Sequence, residues 1–361
     1  MAETPSTSRA GAAALTATIA AAGVAVALVL RAVGAPAEDA RAALARVAAE
    51  AETAGRTAVA GKDGWLFLTA ELRHLGVGPF WGADAERASR AQRADWRDPL
   101  PAILDFHAQL ERAGIGLVFV PVPPKGAVVP AALPGLSALP PERLDAADAA
   151  FYALLRERGL DVLDLEPALA AAPASKPAYC RTDTHWCGPG VELAAARIAE
   201  RVKALPFFAE VPKERFGSER RGVEIEGDLQ RMLGGSGGAG AAAREAVSLR
   251  FVGRPDGAGG LAPVEPSRES PLLLLGDSHA LVFHAGGDMH ARGAGLADQL
   301  ALELGFAVDL VAVRGSGATP ARINLARRAG GLAGKKLVVW CLAARDLSEA
   351  AQGWAKVPVV R

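Results

Sequence analysis

The sequence offers little to a metal or to a disulfide scaffold: only three cysteines, Cys180, Cys187 and Cys341, stand among 361 residues. That number excludes a disulfide-dense secreted fold, and the positions fit no zinc-ligand spacing. Cys180 and Cys187 could pair if the chain is exported, or remain ordinary buried thiols, because spacing alone does not set the geometry. Net charge is missing as well. Forty basic residues balance forty acidic ones, so no overall field draws the chain to nucleic acid, and an anionic ligand must be held by local charges. Aromatic residues are scarce, and there is no internal repeat, which sets aside a solenoid.

One long apolar run is present. Ala10 to Leu30 carries no charged residue over 21 positions, and a helix rising about 1.5 Å per residue would match a bilayer core over that length. Nearly half of it is alanine. A membrane anchor and a cleaved signal peptide, with Ala35-Pro36-Ala37 as the cleavage site, therefore compete, with a buried helix as a third alternative. Arg9 on one side and Arg31, Arg41 and Arg46 on the other leave the orientation unset by charge. The chain divides into residues 1–37, the anchor or signal, and residues 38–361, a globular body long enough to bury a sizeable core.

Within the body, helical and strand patterns alternate. Gly61 to Leu68 reads as a turn and a strand. Residues 84–114 read as helix with a break at Pro99 and Pro101. Ile115 to Val122 is a continuous apolar run, expected as a central strand buried on both faces. A helix near 145–158, a strand at 161–165, a loop holding Asp183 to Trp186 and a helix near 190–203 follow. Residues 205–270 are less regular, with a Gly/Ala tract at 234–243 expected as a loop. Strands at 272–275, 306–313 and 336–341 then alternate with helices near 295–304 and 320–328. This order implies an α/β layered fold with a largely parallel sheet, whose ligands bind beyond the carboxyl ends of the strands.

Two motifs carry chemistry. The run Leu272 to Leu275 ends in Gly276-Asp277-Ser278-His279, which places a hydroxyl at the carboxyl end of a buried strand, beside backbone N–H groups able to hold an oxyanion. Gly-Asp-Ser also makes ordinary turns and helix caps. In Arg181-Thr182-Asp183-Thr184-His185-Trp186, an extended segment would project Asp183 and His185 to one side, so that the carboxylate orients the imidazole toward a serine. Serine needs such a base because its hydroxyl is barely nucleophilic at neutral pH. The competing reading is an Asp that caps the next helix and a surface His.

Together with Gly61-Lys62-Asp63-Gly64-Trp65-Leu66-Phe67, Val120-Pro121-Val122-Pro123-Pro124-Lys125, Val338-Val339-Trp340 and Arg345-Asp346-Leu347, these motifs resemble the alginate O-acetyltransferase family, the AlgJ and AlgX group of SGNH hydrolases. The resemblance runs from about Gly61 to Leu347. It implies a three-layer SGNH-hydrolase-like fold behind the N-terminal hydrophobic helix, and a triad of Asp183, His185 and Ser278, in that chain order. It further implies an acetyl group carried on Ser278 to an exopolysaccharide such as alginate, a donor presented by a polytopic membrane acyltransferase, and a periplasmic place on the inner membrane. No cofactor is called for. An acetylesterase of the same fold, and a non-catalytic assembly protein, are the alternatives.

The sequence departs from the family at Cys341-Leu342-Ala343-Ala344, where an acidic residue often follows the tryptophan, and no counterpart of the oxyanion-hole Asn is evident. The expected donors are the N–H groups of Ser278 and Gly315. Arg314, Lys125 and Arg345 are further candidates for oxyanion or substrate contacts, against ordinary surface roles. His284, Asp288 and His290 lie close together but match no ligand set, so no metal is expected. Trp186 is expected to pack beneath the triad.

Overall fold

The computed structural model describes Met1 and residues 36–136, 139–234, 244–257 and 259–360. The apolar run Ala10 to Leu30 and residues 235–243 of the Gly/Ala tract lie outside them. Among the described residues, no helix is long and apolar enough to cross a membrane.

The body opens with helix α1 (Pro36–Thr53), the short antiparallel pair β1 (Ala58–Ala60) and β2 (Leu66–Leu68), and helix α2 (Thr69–Val77). Helix α1 thus begins just ahead of the boundary expected at residue 38. Leu44, Ala48 and Ala51 of α1 meet Leu72 and Leu75 of α2 in a small core of their own. Gly76 permits the approach, because a side chain there would overlap the Ala45 backbone.

Next come α3 (Leu100–Arg112), β3 (Gly116–Val122), α4 (Ala146–Glu157), β4 (Asp161–Val162) and α5 (Gly188–Lys203). Proline lies in the first turn of α3 and of α5, where its missing N–H costs no helical bond. A second sheet follows, made of β5 (Gly217–Ile225), β6 (Glu245–Pro255) and β7 (Leu261–Pro263), and then β8 (Leu272–Gly276), α6 (Leu296–Leu304), β9 (Asp309–Ala312), α7 (Thr319–Arg327) and β10 (Leu337–Ala343).

The central sheet has the order β4-β3-β10-β8-β9, and every pairing in it is parallel. Alternation along each strand splits its side chains between two cores. Val118, Val120, Leu272, Leu274, Val339 and Cys341 face α5 and α6, where Val191, Ala194, Ile198, Leu296 and Leu300 meet them at helical spacing. Leu117, Phe119, Leu273, Leu275, Val338 and Trp340 face the other way, onto Ile103, Phe106 and Leu110 of α3, Phe151 and Leu155 of α4, and Leu325 of α7. Both faces are therefore covered, and the result is a three-layer α/β fold around a parallel sheet. Burying a side chain such as Leu273 or Leu274 contributes about 1.5–3 kcal/mol.

The second sheet was not expected. Strands β5 and β6 pair antiparallel over Gly217 to Ile225, although most of β5 is exposed and carries Glu219, Arg220 and Arg221. What holds it is β6, whose Val247 and Leu249 join the core beside α5 and α6. The strand expected at 161–165 shrinks to two residues at the sheet edge.

Candidate active site

Strand β8 delivers Ser278 to the carboxyl edge of the central sheet. Gly276 ends the strand, and Asp277 caps the single helical turn Ser278–Leu281 by accepting the His279 N–H at 2.8 Å. Its second oxygen accepts the Ala343 N–H from the end of β10 at 2.7 Å. Burial pushes the Asp277 carboxyl up, but the charge and hydrogen bond of His279 and the Ala343 N–H outweigh it and hold the group at about 2. Asp277 is thus a fixed anion that ties two strand ends together. Burial pushes the His279 imidazole down, only partly offset by Asp277.

Asp183 and His185 meet as expected, though not in an extended segment. Residues 181–185 form a succession of bends, and Asp183 Oδ1 accepts both the His185 N–H at 3.0 Å and Nδ1–H at 2.6 Å. The i, i+2 spacing works here through an Asx-type turn, in which a side-chain oxygen replaces a backbone acceptor. Both side chains are buried. Burial pushes Asp183 up, but the hydrogen bonds from His185 and His290 prevail and hold it well below the usual carboxylate range. Burial pushes His185 down, and the Asp183 hydrogen bond and charge outweigh that, leaving it above an ordinary histidine.

The loop is braced from elsewhere in the chain. Asp228 accepts the Thr184 N–H and hydroxyl, each at 2.7 Å, and donates its own N–H to Asp183 Oδ2 at 2.9 Å. Glu245 accepts the N–H groups of Arg181 and Thr182 at 2.8 and 2.9 Å. Gly227 lies so close that a methyl group there would overlap the Thr182 carbonyl. Trp186 is fully buried, as expected, and its Nε1–H donates to the His279 carbonyl at 3.1 Å. That bond joins the Asp183 loop to the turn that bears Ser278, and the rings of His185 and His279 stand 4.8 Å apart. Ser278 and His185 are not hydrogen-bonded in this arrangement, and His185 Nε2 is buried without a partner. Such contacts commonly close only around substrate.

Sequence reasoning missed His290. Its Nε2–H donates to Asp183 Oδ2 at 2.8 Å, opposite the oxygen that holds His185. His290 and Phe283 both adopt positive φ, +69° and +59°, a conformation uncommon for such residues. The available signal is the histidine-rich stretch that follows Ser278, with His279, His284 and His290. His284 instead pairs with Asp298 at 2.9 Å, and Asp288 with Arg314 at 2.6 Å.

The remaining candidates divide. Lys125 is a correction: it is wholly buried, not facing the cleft, and its Nζ donates to the carbonyls of Leu66 and Arg181 at 2.8 and 3.1 Å. Its N–H and the Arg345 guanidinium both reach Glu71, the latter at 2.9 Å. Lys125 and Arg345 therefore meet behind the loop through Glu71. Arg314 is exposed and paired with Asp288. Gly315 is exposed, with φ of +100°. The glycine packed on the Ser278 turn is Gly317, where an added Cβ would stand 3.3 Å from that of Asp277, and its N–H is already taken by Asp346 at 2.9 Å.

Among the described residues, Asp183, His185 and Asp228 are close enough to suggest a metal. Their oxygens already accept the donors named above, a set suited to protons rather than a cation.

Residues 58–344 match the family described as the SGNH hydrolase-like domain of acetyltransferase AlgX. The chain is 28% identical over 179 residues to the probable alginate O-acetylase AlgJ of Pseudomonas aeruginosa, covering 48% of this chain and 40% of that protein. It is 32% identical over 171 residues to the alginate biosynthesis protein AlgX of the same organism, covering 46% and 32%. The match thus spans less than half of either relative. The solved O-acetyltransferase domain of Pseudomonas putida AlgJ superposes with a TM-score of 0.61 at 25% identity, over 81% of this chain and 92% of that one. The Pseudomonas aeruginosa AlgX structure shares the fold, with a TM-score of 0.55 at 21% identity, over 81% and 66%.

Proposed function

The chain belongs to the SGNH hydrolase-like domain family of acetyltransferase AlgX, and from that premise we propose that it is an O-acetyltransferase working through a Ser278 acyl-enzyme. His185 Nε2 takes the Ser278 proton as Oγ attacks the acetyl carbonyl, and returns it to the leaving group. In the second half, the same nitrogen deprotonates an acceptor hydroxyl, which attacks the acyl-enzyme and frees Ser278. Asp183 holds the imidazole in the tautomer that presents a free Nε2 and stabilises the imidazolium formed in each half. The N–H of Ser278 is the oxyanion donor.

One observation carries this reading above the rest: the 2.6 Å contact between Asp183 Oδ1 and His185 Nδ1, with the opposite ring nitrogen buried and unpaired beside the turn that bears Ser278. By likeness to its relatives, the acceptor is a hydroxyl of alginate or a similar exopolysaccharide. A polytopic membrane acyltransferase supplies the acetyl group in the periplasm. Residues 1–37 serve as anchor or signal, with 38–361 as the acyltransferase domain; the support for this is the uncharged run Ala10 to Leu30.

Incubation with a chromogenic acetyl ester and uronate oligosaccharides tests the proposal. The expected products are acetylated oligosaccharide and a transient enzyme heavier by one acetyl group, mapped to Ser278. Release of acetate alone would make the protein an esterase. An acetylated species that persists in Ser278→Ala would overturn the assignment.

A further inference from the structure

Two cysteines stand at the ends of the loop that carries Asp183 and His185. Tyr179 and Trp186 face each other in an isolated antiparallel bridge. The Cys187 N–H donates to the Ala178 carbonyl at 2.7 Å, and the Cys180 N–H to the His185 carbonyl at 3.4 Å. These backbone bonds turn both thiols inward, where Cys180 is 0% and Cys187 5% exposed. Their sulfurs lie 2.7 Å apart. That is inside van der Waals contact, and about 0.7 Å beyond a covalent S–S bond. Two buried thiols serving merely as small apolar groups have no reason to approach so closely.

We propose that Cys180 and Cys187 form a disulfide that closes this loop into a ring containing Asp183 and His185. The reaction is thiol–disulfide exchange with a disulfide-bearing oxidant. One cysteine thiolate attacks the oxidant to give a mixed disulfide and expels one oxidant thiol; the second cysteine, as thiolate, then attacks the mixed bond and expels the other. Two protein thiols and one oxidant disulfide become one protein disulfide and two oxidant thiols, with no net change in electrons. Burial pushes the Cys180 thiol well up, so its thiolate is scarce once the chain has folded and the bond forms during folding. Cys341, within β10 and on the core side of the sheet, stays a thiol.

The ring explains an otherwise costly arrangement. The loop is made of bends held by side chains from residues 228 and 245, and a covalent closure removes disordered states in which Asp183 and His185 drift from the nucleophile turn. The bond concerns the frame of the site and not its chemistry, so it stands or falls independently of acetyl transfer.

Trypsin provides a direct test, because Arg181 lies inside the ring. The full chain, expressed in a host whose cytoplasm permits disulfide formation, is unfolded with a blocking thiol reagent present and digested without reductant. The expected product is residues 159–181 joined to residues 182–197, with a single blocked cysteine at position 341. Reductant should separate the two peptides and lower the Tm of the intact protein by about 5 °C, while leaving the Cys180→Ala, Cys187→Ala double variant unmoved. Recovery of both peptides singly blocked, or a cross-link through Cys341, would overturn the proposal. So would a wild-type Tm indifferent to reductant. None of these readouts depends on enzymatic activity.

Discussion

Asp183 is shared between two histidines: Oδ1 takes the His185 Nδ1–H at 2.6 Å, and Oδ2 takes the His290 Nε2–H at 2.8 Å. The second histidine neutralises no charge unless protonated, yet it fixes the carboxylate plane and competes for its electron density. In the proposed reaction it would act through Asp183, as a positioning residue.

His290→Ala should therefore lower kcat about tenfold with little change in KM, by analogy with other outer partners that orient a reacting group. With one donor gone, more of the carboxylate's charge falls on His185, so the acid limb of the pH profile should move toward alkaline pH. His290→Gln, which keeps an N–H donor, should recover part of both effects. A loss of activity with an unmoved pH profile would reduce His290 to a packing role.

The pH dependence of the unmodified enzyme follows from His185. In the proposed reaction only its neutral form accepts the Ser278 proton, and Asp183 outweighs burial in raising its pKa. The acid limb of kcat/KM should therefore lie on the alkaline side of an ordinary histidine, about 6.5. Stability should run the other way. A group whose pKa rises on folding contributes stability that is full below its unfolded value and is lost as pH climbs through its folded value. Kinetic profiles set beside thermal melts across this range check both slopes, and an acid limb below 6.5 would contradict the pairing.

Lys125→Met removes a buried donor from the carbonyls of Leu66 and Arg181 and should destabilise the fold by roughly 2–4 kcal/mol. Burial lowers the pKa of this ammonium, partly offset by Glu71. Because Arg181 begins the loop that bears Asp183, activity should fall with stability. Denaturant titration together with turnover at low temperature separates this from substrate contact, which would raise KM without altering the unfolding midpoint.

Asp346 accepts from the Ser316 hydroxyl and the Gly317 N–H, each at 2.9 Å. Burial and the nearby Asp277 charge push its carboxyl up to about 7, despite Arg345. A carboxyl raised on folding binds its proton more tightly in the native state, so its contribution to stability falls as pH rises between about 4 and 7. Asp346→Asn keeps an acceptor and cannot ionise. Its stability relative to wild type should grow across that interval, and parallel melts at pH 4.5 and 7.5 measure the difference.

Much of this molecule was legible along the chain. Strands β3, β8 and β10 are legible as continuous apolar runs, because a parallel strand covered on both faces has nowhere to place a polar residue, whereas the edge strand β9 opens on Asp309. Asp183 and His185 were paired from their spacing alone, since two residues apart is within reach of one side chain whether the backbone is extended or bent.

Other features depend on partners far along the sequence. Strand β5 is polar and exposed, and its conformation is set by β6 and by the core that β6 meets. Lys125 looks like a surface lysine until Leu66 and Arg181 bring their carbonyls around it. His290 lies more than a hundred residues from Asp183, and Gly317, not Gly315, packs against the turn that bears Ser278. Hydrophobic pattern and short spacing act through the local backbone, so the sequence by itself determined the layers and the Asp–His pair. Which donor meets which distant acceptor was decided only by tertiary packing, because a buried polar group takes the partner that the assembled core brings within about 3 Å.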